Sequence, residues 1–514
     1  MNKKELFNKI YQVSEELETP VYVVGGYIRD ELMEQEHPGY KESLVVEERN
    51  PIKPVLEQDV TDEETAEPEI IKPKSKEDID FTLEGSGVEF AQEFDEKVDI
   101  GSLVLFEDFD TARYVIEDDH GGFELEFAGT RKESYQENSR KPDVESATLE
   151  EDLHRRDFTV NAMAKEIQEN SLGELIDPFG GKEDLEEKKL ATPHDPDNTF
   201  QEDPLRMLRG ARFAAKLDFD LEDRVKNAIK DNSDRLSIIS SERIRDEFLK
   251  LLSTPKPSIG LWILYNTDLF DEFLPEIKDF SREEERQGIS HKDNLAHTFE
   301  VVDNIAKRTN NELLVFAALL HDIGKPETKE FDPDRGWTFD MHEHVGRRIV
   351  FEIGDRLNMS KNDTEYVADL VRWHQQPVQL IMDSDNITDS AVRKLVVELE
   401  EQLDDLLKLG RSDITTGSPE REQRYLENYD KLEEKIIEVI HRDKLRKFQS
   451  PVDGDEIMEV CGLKPGPTVG KIKEDIENAI LNGEIVNEYE PAKEYLQNIK
   501  SKYLDQAEDW ELRN

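Results

Sequence analysis

The chain has 514 residues, of which 120 are acidic and 67 are basic, and its formal net charge is −53. This length exceeds one compact domain and suggests about three or four, while the single cysteine, Cys461, excludes an intramolecular disulfide framework. The longest apolar run, at 313–320, is far shorter than the ~20 residues that cross a bilayer, and the N-terminus lacks the apolar region of a secretion signal. We therefore expect a soluble, cytoplasmic protein with no membrane partner. The acidity argues against a nucleic-acid partner, but it also fits adaptation to a salty cytoplasm and so does not exclude a polyanionic substrate.

The first 30 residues predict a helix, a buried strand and a turn that enters a second helix at GGYIRD. Glycine allows close backbone approach, and a helix N-terminus offers free N–H groups to a phosphate. On its own this pattern more often reflects plain packing. Residues 34–76, which are rich in Glu, Pro and Lys and have little periodicity, predict a disordered insertion or a mobile loop.

The next strand contains DIDF, in which Asp78 and Asp80 are two residues apart. Side chains at this spacing point to the same side of a strand, and two carboxylates so close together are costly unless a cation lies between them. Mg²⁺ accepts carboxylate and triphosphate oxygens together, as in-line nucleotidyl transfer requires. A solvated acidic strand end is the alternative for this motif in isolation.

From about residue 150 helical periodicity dominates. Three further motifs follow in order, HRRDFTVNAMA (154–164), DPFGGKEDL (177–185) and EDPLRMLRGARFAAKL (202–217). In the last, Asp203, Arg206 and Arg209 recur every third residue, which predicts roughly one helix face. Such a face could form salt bridges, or its acceptors and donors could pair with the edge of a base.

Between residues 297 and 413 lies a second group of candidate ligands. A lone histidine on an apolar helix is more often a core residue, but six imidazole and carboxylate groups within this stretch predict a metal site. They are His297, His321, Asp322, His342, His374 and Asp413.

Together the motifs between residues 23 and 217 resemble the tRNA nucleotidyltransferase and bacterial poly(A) polymerase superfamily, and CCA-adding enzymes in particular. SSERIRDEFLKLL (240–252) fits the helical neck of that family, and residues 451–485 resemble the end of CCA-adding enzymes with an internal HD domain. In the family the segment between GGYIRD and DIDF is much shorter than it is here.

The resemblance implies an α/β nucleotidyltransferase head with a small mixed sheet, followed by an all-α neck, body, HD domain and tail. The expected bounds are 1–165 for the head, 166–285 for neck and body, 286–415 for the HD domain and 416–514 for a tRNA-binding helical tail. In the tail, the basic cluster HRDKLRK (441–447) could contact tRNA phosphates, although a solvated helix face explains it almost as well.

The resemblance also assigns roles to residues. Asp78 and Asp80 would hold catalytic Mg²⁺, and the nucleotide would be contacted by Gly26, Arg29 and Arg156 and its base read by Asp203, Arg206 and Arg209. The order H…HD…H…H…D resembles HD-domain phosphohydrolases. It implies a primary site for a divalent transition metal at His297, His321, Asp322 and Asp413, with His342 and His374 completing a second.

The function that follows is addition of C, C and A to the 3′ end of tRNA from CTP and ATP, with release of pyrophosphate. A poly(A) polymerase, or an enzyme limited to CC or A addition, is the nearest alternative. An HD-domain phosphohydrolase with a silent transferase head and a non-catalytic RNA-binding protein are alternatives of other classes. The sequence leaves the oligomeric state open.

Overall fold

A computed structural model of the chain describes residues 1–57, 68–71, 76–117, 121–134, 143–281, 285–286, 289–290, 294–382, 387–416, 418–443, 450–481, 484–486, 488–504, 507 and 511–512. Most buried apolar side chains form one continuous core between Leu6 and Ile440, and a smaller core lies between Val452 and Leu496. Within the described ranges no helix is long and apolar enough to cross a membrane.

The N-terminal head is built on a seven-stranded mixed sheet. Its elements are α1 (Lys3–Glu16), β1 (Val21–Val24), α2 (Gly26–Glu36), α3 (Tyr40–Ser43), β2 (Glu48–Asn50), α4 (Lys53–Glu57), β3 (Glu69–Ile71), β4 (Glu77–Leu83), α5 (Gly87–Val98), β5 (Ser102–Phe106), β6 (Thr111–Ile116), β7 (Phe123–Gly129), β8 (Arg131–Ser134), β9 (Asp143–Ser146), α6 (Leu149–His154), β10 (Ala164–Gln168) and β11 (Ser171–Ile176).

The sheet order is β11-β10-β1-β4-β7-β6-β5, and only β4 and β7 run parallel. The sequence FELEFAG explains which side chains of β7 face the core. Phe123, Leu125 and Phe127 are buried, whereas the two glutamates between them point to the other face of the sheet. Because β11 belongs to this sheet, the head continues to Ile176. The sheet therefore extends past the predicted boundary at residue 165, which lies within β10.

Part of the predicted insertion is ordered. Strand β2 pairs antiparallel with β3, and α4 follows β2; we call residues 46–57 and 68–71 the strap. The prediction of disorder is wrong for residues 34–57 and 69–71, because Ile52, Val55 and Leu56 pack into the main core and the polar strap residues find partners elsewhere in the chain. Residues 58–67 and 72–75 of the predicted insertion lie outside the described ranges.

A helical neck and body follow the head. They contain α7 (Gly181–Glu186), β12 (Lys189–Leu190), α8 (Pro196–Glu202), α9 (Leu205–Leu217), β13 (Asp220–Leu221), α10 (Asp223–Asp231), α11 (Ser241–Leu252), α12 (Pro257–Asn266) and α13 (Phe270–Phe273). Helix α9 packs against both α11 and α12. Its apolar residues recur three and four positions apart, so that Met207, Ala211 and Ala214 are buried on the core side.

The next region carries the histidine motifs. Its elements are β14 (Glu285–Arg286), β15 (Ile289–Ser290), α14 (Asn294–Ala306), α15 (Glu312–Leu320), α16 (Lys325–Thr328), β16 (Glu330–Asp332), β17 (Gly336–Thr338), α17 (His342–Arg356), α18 (Lys361–Trp373), α19 (Gln375–Met382), α20 (Asp389–Leu399) and α21 (Leu403–Ser412). Helix α15, which contains LLVFAALL, is apolar on nearly all sides and lies at the centre, packed by α11, α14, α18 and α21.

The tail contains α22 (Pro419–Asp443), α23 (Gly454–Cys461), α24 (Pro467–Leu481) and α25 (Tyr489–Leu504). Helix α22 packs on α19 and α20 and contributes to the main core, so the predicted boundary at 416 does not separate an independent unit. In the described part of the tail, the residues from Val452 onward form a separate core. Residues 444–447 of the predicted basic cluster lie outside the described part of the chain.

Candidate active site

A pocket of 2380 Å³ lies where the head meets the neck, and it brings together the predicted transferase residues. It is lined by Gly25, Gly26, Arg29, Asp78, Asp80, Arg156, Asp203, Arg206 and Arg209, among others. Thirteen lysine and arginine residues and ten carboxylates line it, whereas acidic residues outnumber basic ones in the whole chain. The pocket is therefore a basic site in an acidic protein, as a polyphosphate substrate requires.

The two aspartates lie on β4, at the positions predicted for one side of a strand. Asp80 is opposite Val24 of β1, and Asp78 and Asp80 are in register with Glu124 and Glu126 of β7. Loss of hydration in the pocket, together with the charges of Asp80 and Glu124, raises the pKa of Asp78 to about 6. Burial and the charge of Glu126 also raise the pKa of Asp80. Close carboxylates with raised pKa values form a site that a divalent cation would stabilise.

Sequence reasoning missed Glu126. Burial raises its pKa, and Asp78 adds to the effect, so Glu126 belongs to the same negative cluster. The alternation in FELEFAG already placed it on the face opposite the core. What the sequence could not provide was the parallel pairing of β4 with β7, which brings Glu126 beside Asp80.

The turn at Gly25 and Gly26 brings the backbone close to Asp80. Gly25, not Gly26, has a left-handed backbone conformation, with φ +69°, and a Cβ atom there would lie 3.1 Å from Nη1 of Arg156 and 3.8 Å from Oδ2 of Asp80. The turn therefore requires glycine at its first position. Arg29 is buried, and its Nε and Nη1 donate to Asp30 Oδ1 at 2.7 Å and to Asn161 Oδ1 at 2.6 Å. These hydrogen bonds hold the Arg29 side chain in the wall of the pocket. Contact between Arg29 and a nucleotide stays a prediction.

The adjacent arginines of HRRDF share one buried carboxylate. Arg155 Nη2 lies 2.6 Å from Asp152 Oδ1, and Arg156 Nη2 lies 3.1 Å from Asp152 Oδ2. The two guanidinium groups outweigh burial and lower the pKa of Asp152. Both arginines therefore form salt bridges at the end of α6, and this pairing also orients Arg156 into the pocket beside Gly25.

Asp157 and Arg209 form a second ion pair across the pocket floor. Arg209 Nη2 lies 2.6 Å from Asp157 Oδ2, and Asn161 donates to Oδ1 of Asp157 at 3.1 Å. Burial would raise the pKa of Asp157, but Arg209 and Asn161 lower it to about 2. This pair connects the RRDFTVN segment to helix α9.

Arg206 is only 8% exposed, and both its terminal nitrogens have acceptors. Nη1 donates to Glu202 Oε2 at 3.1 Å and to the Thr199 carbonyl at 3.4 Å, and Nη2 donates to the Arg155 carbonyl at 2.7 Å. Asp203 precedes helix α9 rather than lying on it, because Pro204 separates them, and its Oδ1 accepts the Leu205 N–H. The expectation of a single helix face holding all three residues is wrong for Asp203.

Three aromatic rings beside Arg206 were not anticipated. His154 stacks on His194 with ring centroids 4.9 Å apart and lies 5.4 Å from the ring of Phe179. Nε2 of His194 is 3.9 Å from Oε2 of Glu202, the same oxygen that accepts from Arg206. The only sequence signal was the position of His154 next to the arginine pair.

The six predicted ligands of the second site also converge. Two groups of three side chains could each hold an ion, His297–His321–Asp322 and Asp322–His342–His374. Asp322 belongs to both, which the sequence did not indicate, and its two oxygens face different histidines: Oδ2 is 3.2 Å from His321 Nε2 and Oδ1 is 3.4 Å from His342 Nε2. Asp413 Oδ1 adds a contact of 3.1 Å to His297 Nε2.

The rings are held so that their Nε2 atoms face inward. Nδ1 of His321, His342 and His374 each donates to a backbone carbonyl, from Ala318, Phe339 and Val371, at 2.7–2.8 Å. Such donation leaves the Nε2 lone pair free for a metal. Nε2 of His342 and His374 are only 3.3 Å apart, and Nε2 of His321 is a buried atom without a hydrogen bond.

The charges of this cluster also suit a cation. Burial lowers the pKa of His321, but Asp322 and Asp413 outweigh it and raise the pKa to about 10. Burial and His321 lower the pKa of His374 to about 4. One imidazole of the cluster thus lies between two carboxylates, and a divalent ion with mixed nitrogen and oxygen ligands can replace a proton in such a site.

Comparison with known proteins gives three successive family matches. A poly A polymerase head domain matches residues 69–191, a probable RNA and SrmB-binding site of polymerase A matches 218–281, and an HD domain matches 293–411. The first match begins at residue 69, where strand β3 begins, and so excludes helix α4.

The chain is 34% identical over 346 residues to the A-adding tRNA nucleotidyltransferase of Deinococcus radiodurans, covering 66% of this chain and 76% of that relative. It is 32% identical over 348 residues to the CC-adding tRNA nucleotidyltransferase of Thermus thermophilus, covering 66% and 74%. The chain belongs to the tRNA nucleotidyltransferase family. A CCA-adding enzyme of Geobacillus is 29% identical over 422 residues, covering 82% of this chain and 88% of that enzyme. This tRNA nucleotidyltransferase thus resembles relatives named for three different additions.

Solved structures of the family share its architecture. The CCA-adding enzyme of Bacillus stearothermophilus in complex with CTP superposes with a TM-score of 0.64 at 20% identity, covering 99% of this chain and all of the other. The Thermotoga maritima CCA-adding enzyme complexed with tRNA gives 0.53 at 20%, covering 97% and 96%. These likenesses confirm the predicted fold class, a mixed-sheet head followed by a mostly helical region that contains an HD domain.

Proposed function

We propose that this tRNA nucleotidyltransferase adds C, C and A to the tRNA 3′ end from CTP and ATP, releasing pyrophosphate. The observation that carries the proposal is the pair Asp78 and Asp80 inside the basic pocket. Family membership supports the reaction type. The lone Cys461 is a free, buried thiol, which fits a reducing cytoplasm.

The pocket residues divide the work of an in-line displacement. Asp78 and Asp80 would hold Mg²⁺, which when bound supplies charge neutralisation at the triphosphate and a more acidic 3′-hydroxyl. Arg156, placed beside Gly25 by Asp152, is positioned to bind phosphate oxygens, and α2 begins at Gly26 with free N–H groups. The tRNA 3′ oxygen attacks the α-phosphorus of the nucleotide. The bond between the α-phosphorus and the oxygen that bridges it to the β-phosphorus breaks, and pyrophosphate leaves.

Base choice falls to Arg206 and Asp203 in this proposal. For Arg206 to meet a base, one of its present acceptors must be exchanged for a base acceptor. The carboxylate of Glu202 is the exchangeable one, because it is a flexible side chain, whereas the Arg155 carbonyl is backbone. Arg206 would then stay oriented through Nη2 while Nη1 reads the base.

Arg206→Ala is expected to erode discrimination among CTP, ATP, UTP and GTP more than it weakens triphosphate binding, because a base edge loses its donor. A lost hydrogen-bonded base contact costs ~1–3 kcal/mol of discrimination. Single-turnover incorporation of each nucleotide measures this, with Arg224→Ala, an exposed arginine on α10 paired with Glu222, as the control. Unchanged CTP and ATP selectivity with only weaker overall affinity would refute the base-reading role.

Partial addition is the alternative that the relatives favour, since an A-adding and a CC-adding enzyme are both above 30% identity. Transcripts ending before the first C, after one C and after CC, each given one labelled nucleotide at a time, separate the cases. A full CCA enzyme extends all three, an A-adding enzyme only the last and a CC-adding enzyme only the first two. Extension of unrelated RNA with A would indicate a poly(A) polymerase instead.

We further propose that the HD cluster binds one or two divalent transition-metal ions and hydrolyses phosphoesters. The inward Nε2 atoms and the shared carboxylate of Asp322 support this second function. Imidazole ligands favour Mn²⁺, Fe²⁺, Ni²⁺ or Zn²⁺ over Mg²⁺, which prefers oxygen.

A further inference from the structure

The strap is fastened to the HD region by a buried charge cluster. Lys408 of α21 is 8% exposed, and its Nζ donates to Glu48, to Asn50 Oδ1 at 2.6 Å and to Asp405 Oδ1 at 3.1 Å. Glu48 and Asn50 are both strap residues and are likewise buried. A buried cation with three acceptors is costly to break, because the groups left behind lose both water and partner.

Two further groups of contacts surround this cluster. The carboxylate of Asp404 accepts the backbone N–H of Ile52 at 3.0 Å and of Lys53 at 2.8 Å, which are the N–H groups at the start of α4. Asn310 Nδ2 donates to the Val46 carbonyl at 2.7 Å, and its backbone N–H donates to Glu48 Oε2 at 3.4 Å. The strap is therefore held along its length by residues that lie near 310 and 405.

These contacts reach the helices that position the HD ligands. A candidate ligand directly follows the last residue of each of three helices: His321 follows α15, which begins after Asn311, His374 follows α18, and Asp413 follows α21. Two to three turns before these ligands, Asn311 Nδ2 donates to Tyr366 Oη of α18 at 2.9 Å, and Tyr366 Oη donates to Asp405 Oδ2 of α21 at 2.7 Å. Asp405 in turn accepts from Lys408. Along the helices the strap cluster therefore lies ~8–15 Å from the candidate ligands.

On the head side the strap lies between two elements of the transferase pocket. Helix α2, which carries Arg29, precedes it, and strand β4, which carries Asp78 and Asp80, begins six residues after Ile71. One stretch of chain thus runs from the HD helices to the strand of the transferase carboxylates.

We propose that docking of the strap on the HD region and metal binding at the HD site are coupled. The inference rests on metal binding at the HD site proposed above. An ion fixes the C-terminal ends of α15, α18 and α21 relative to one another, and Asn311, Tyr366 and Asp405, with the Lys408 cluster beside them, fix the same helices two to three turns earlier. Metal binding and strap docking each restrict the motion of the same three helices. Metal binding therefore favours the docked strap, and strap docking raises the metal affinity of the HD site by the same factor.

Hydrogen exchange on the metal-depleted full chain, with and without Mn²⁺, tests the first direction. Backbone amides of residues 46–57 are expected to exchange at least about 5-fold more slowly with Mn²⁺ bound. Because Mn²⁺ could also occupy the transferase site, Asp413→Asn serves as the control and should lose the effect. Mn²⁺ bound at the HD site with unchanged strap exchange would overturn the coupling alone. Failure of the wild-type HD site to bind Mn²⁺ would overturn the coupling together with the proposed metal site.

The reciprocal test compares two lysines of the same interface. Lys408→Gln removes the buried cation, whereas Lys53→Gln removes an exposed strap lysine whose Nζ only faces Glu69 at 3.7 Å. Mn²⁺ affinity of the HD site should fall about 5-fold or more in the first and stay unchanged in the second. If Lys408→Gln does not fold, Asn50→Ala, which removes one acceptor, is measured instead. Equal affinities in the variant and the control would overturn the proposal.

Discussion

Replacement of Asp78 or Asp80 by alanine is expected to lower nucleotide addition by about 10³-fold or more. A catalytic metal ion contributes several kcal/mol to stabilisation of the transition state, and each 1.36 kcal/mol is a factor of ten in rate. The fold should survive, because the raised pKa of Asp78 means that its charged form is disfavoured in the folded protein. Melting temperature at pH 7 should therefore be unchanged or slightly higher.

Single-turnover extension of a tRNA transcript measures the loss. Glu96→Ala is the matched control, since it also removes one carboxylate but from the exposed side of α5. Near-wild-type incorporation by both aspartate variants would refute the assignment of the transferase site. Loss of activity with a lowered melting temperature would indicate a structural role instead.

His321→Ala and Asp322→Ala are each expected to remove transition metal from the purified protein. Because Asp322 is shared by the two ligand triads, its loss should release all the HD metal, whereas His342→Ala should release only the ion of the second triad. Hydrolysis of 2′,3′-cyclic phosphates or small phosphomonoesters should disappear with the metal. Incorporation of CTP and ATP should be spared, because neither residue lines the transferase pocket.

Metal analysis of these variants tests whether the residues are ligands. The control is His344→Ala, which lies on helix α17 like His342. The His344 side chain is 45% exposed and belongs to neither triad. Equal metal content in every protein would show that these residues are ordinary core groups. Metal loss with retained hydrolysis would place the hydrolytic site elsewhere.

The sequence predicted those parts of the site that depend on local spacing. Asp78 and Asp80 share a strand face because alternation is a property of the strand itself. The convergence of the six candidate ligands in the HD region could be expected because imidazole and carboxylate groups recur in a recognisable order. The helix face of α9 was also predicted, except that Pro204 places Asp203 outside the helix.

What could not be predicted depends on distant partners. The strap has little periodicity of its own and is ordered by Lys408, which lies 360 positions beyond Glu48. Glu126 joins the carboxylates only because β4 pairs in parallel with β7. The double role of Asp322 follows from the way α14, α15, α17 and α18 converge, and no local pattern encodes that convergence.

The basic pocket within an acidic chain gives the protein an electric field that changes sign with distance. Far from the surface the net charge of −53 repels tRNA, whereas arginine and lysine side chains outnumber carboxylates inside the pocket. At physiological ionic strength the Debye length is ~8 Å, so the distant repulsion is screened while contacts within the pocket persist. Added salt therefore has two opposite effects on this enzyme. It raises the rate at which tRNA encounters the protein, and it weakens the ionic contacts of tRNA within the pocket. Fast encounter and tight binding then coincide over an intermediate range of ionic strength, in contrast to basic nucleic-acid-binding proteins, for which added salt only weakens association.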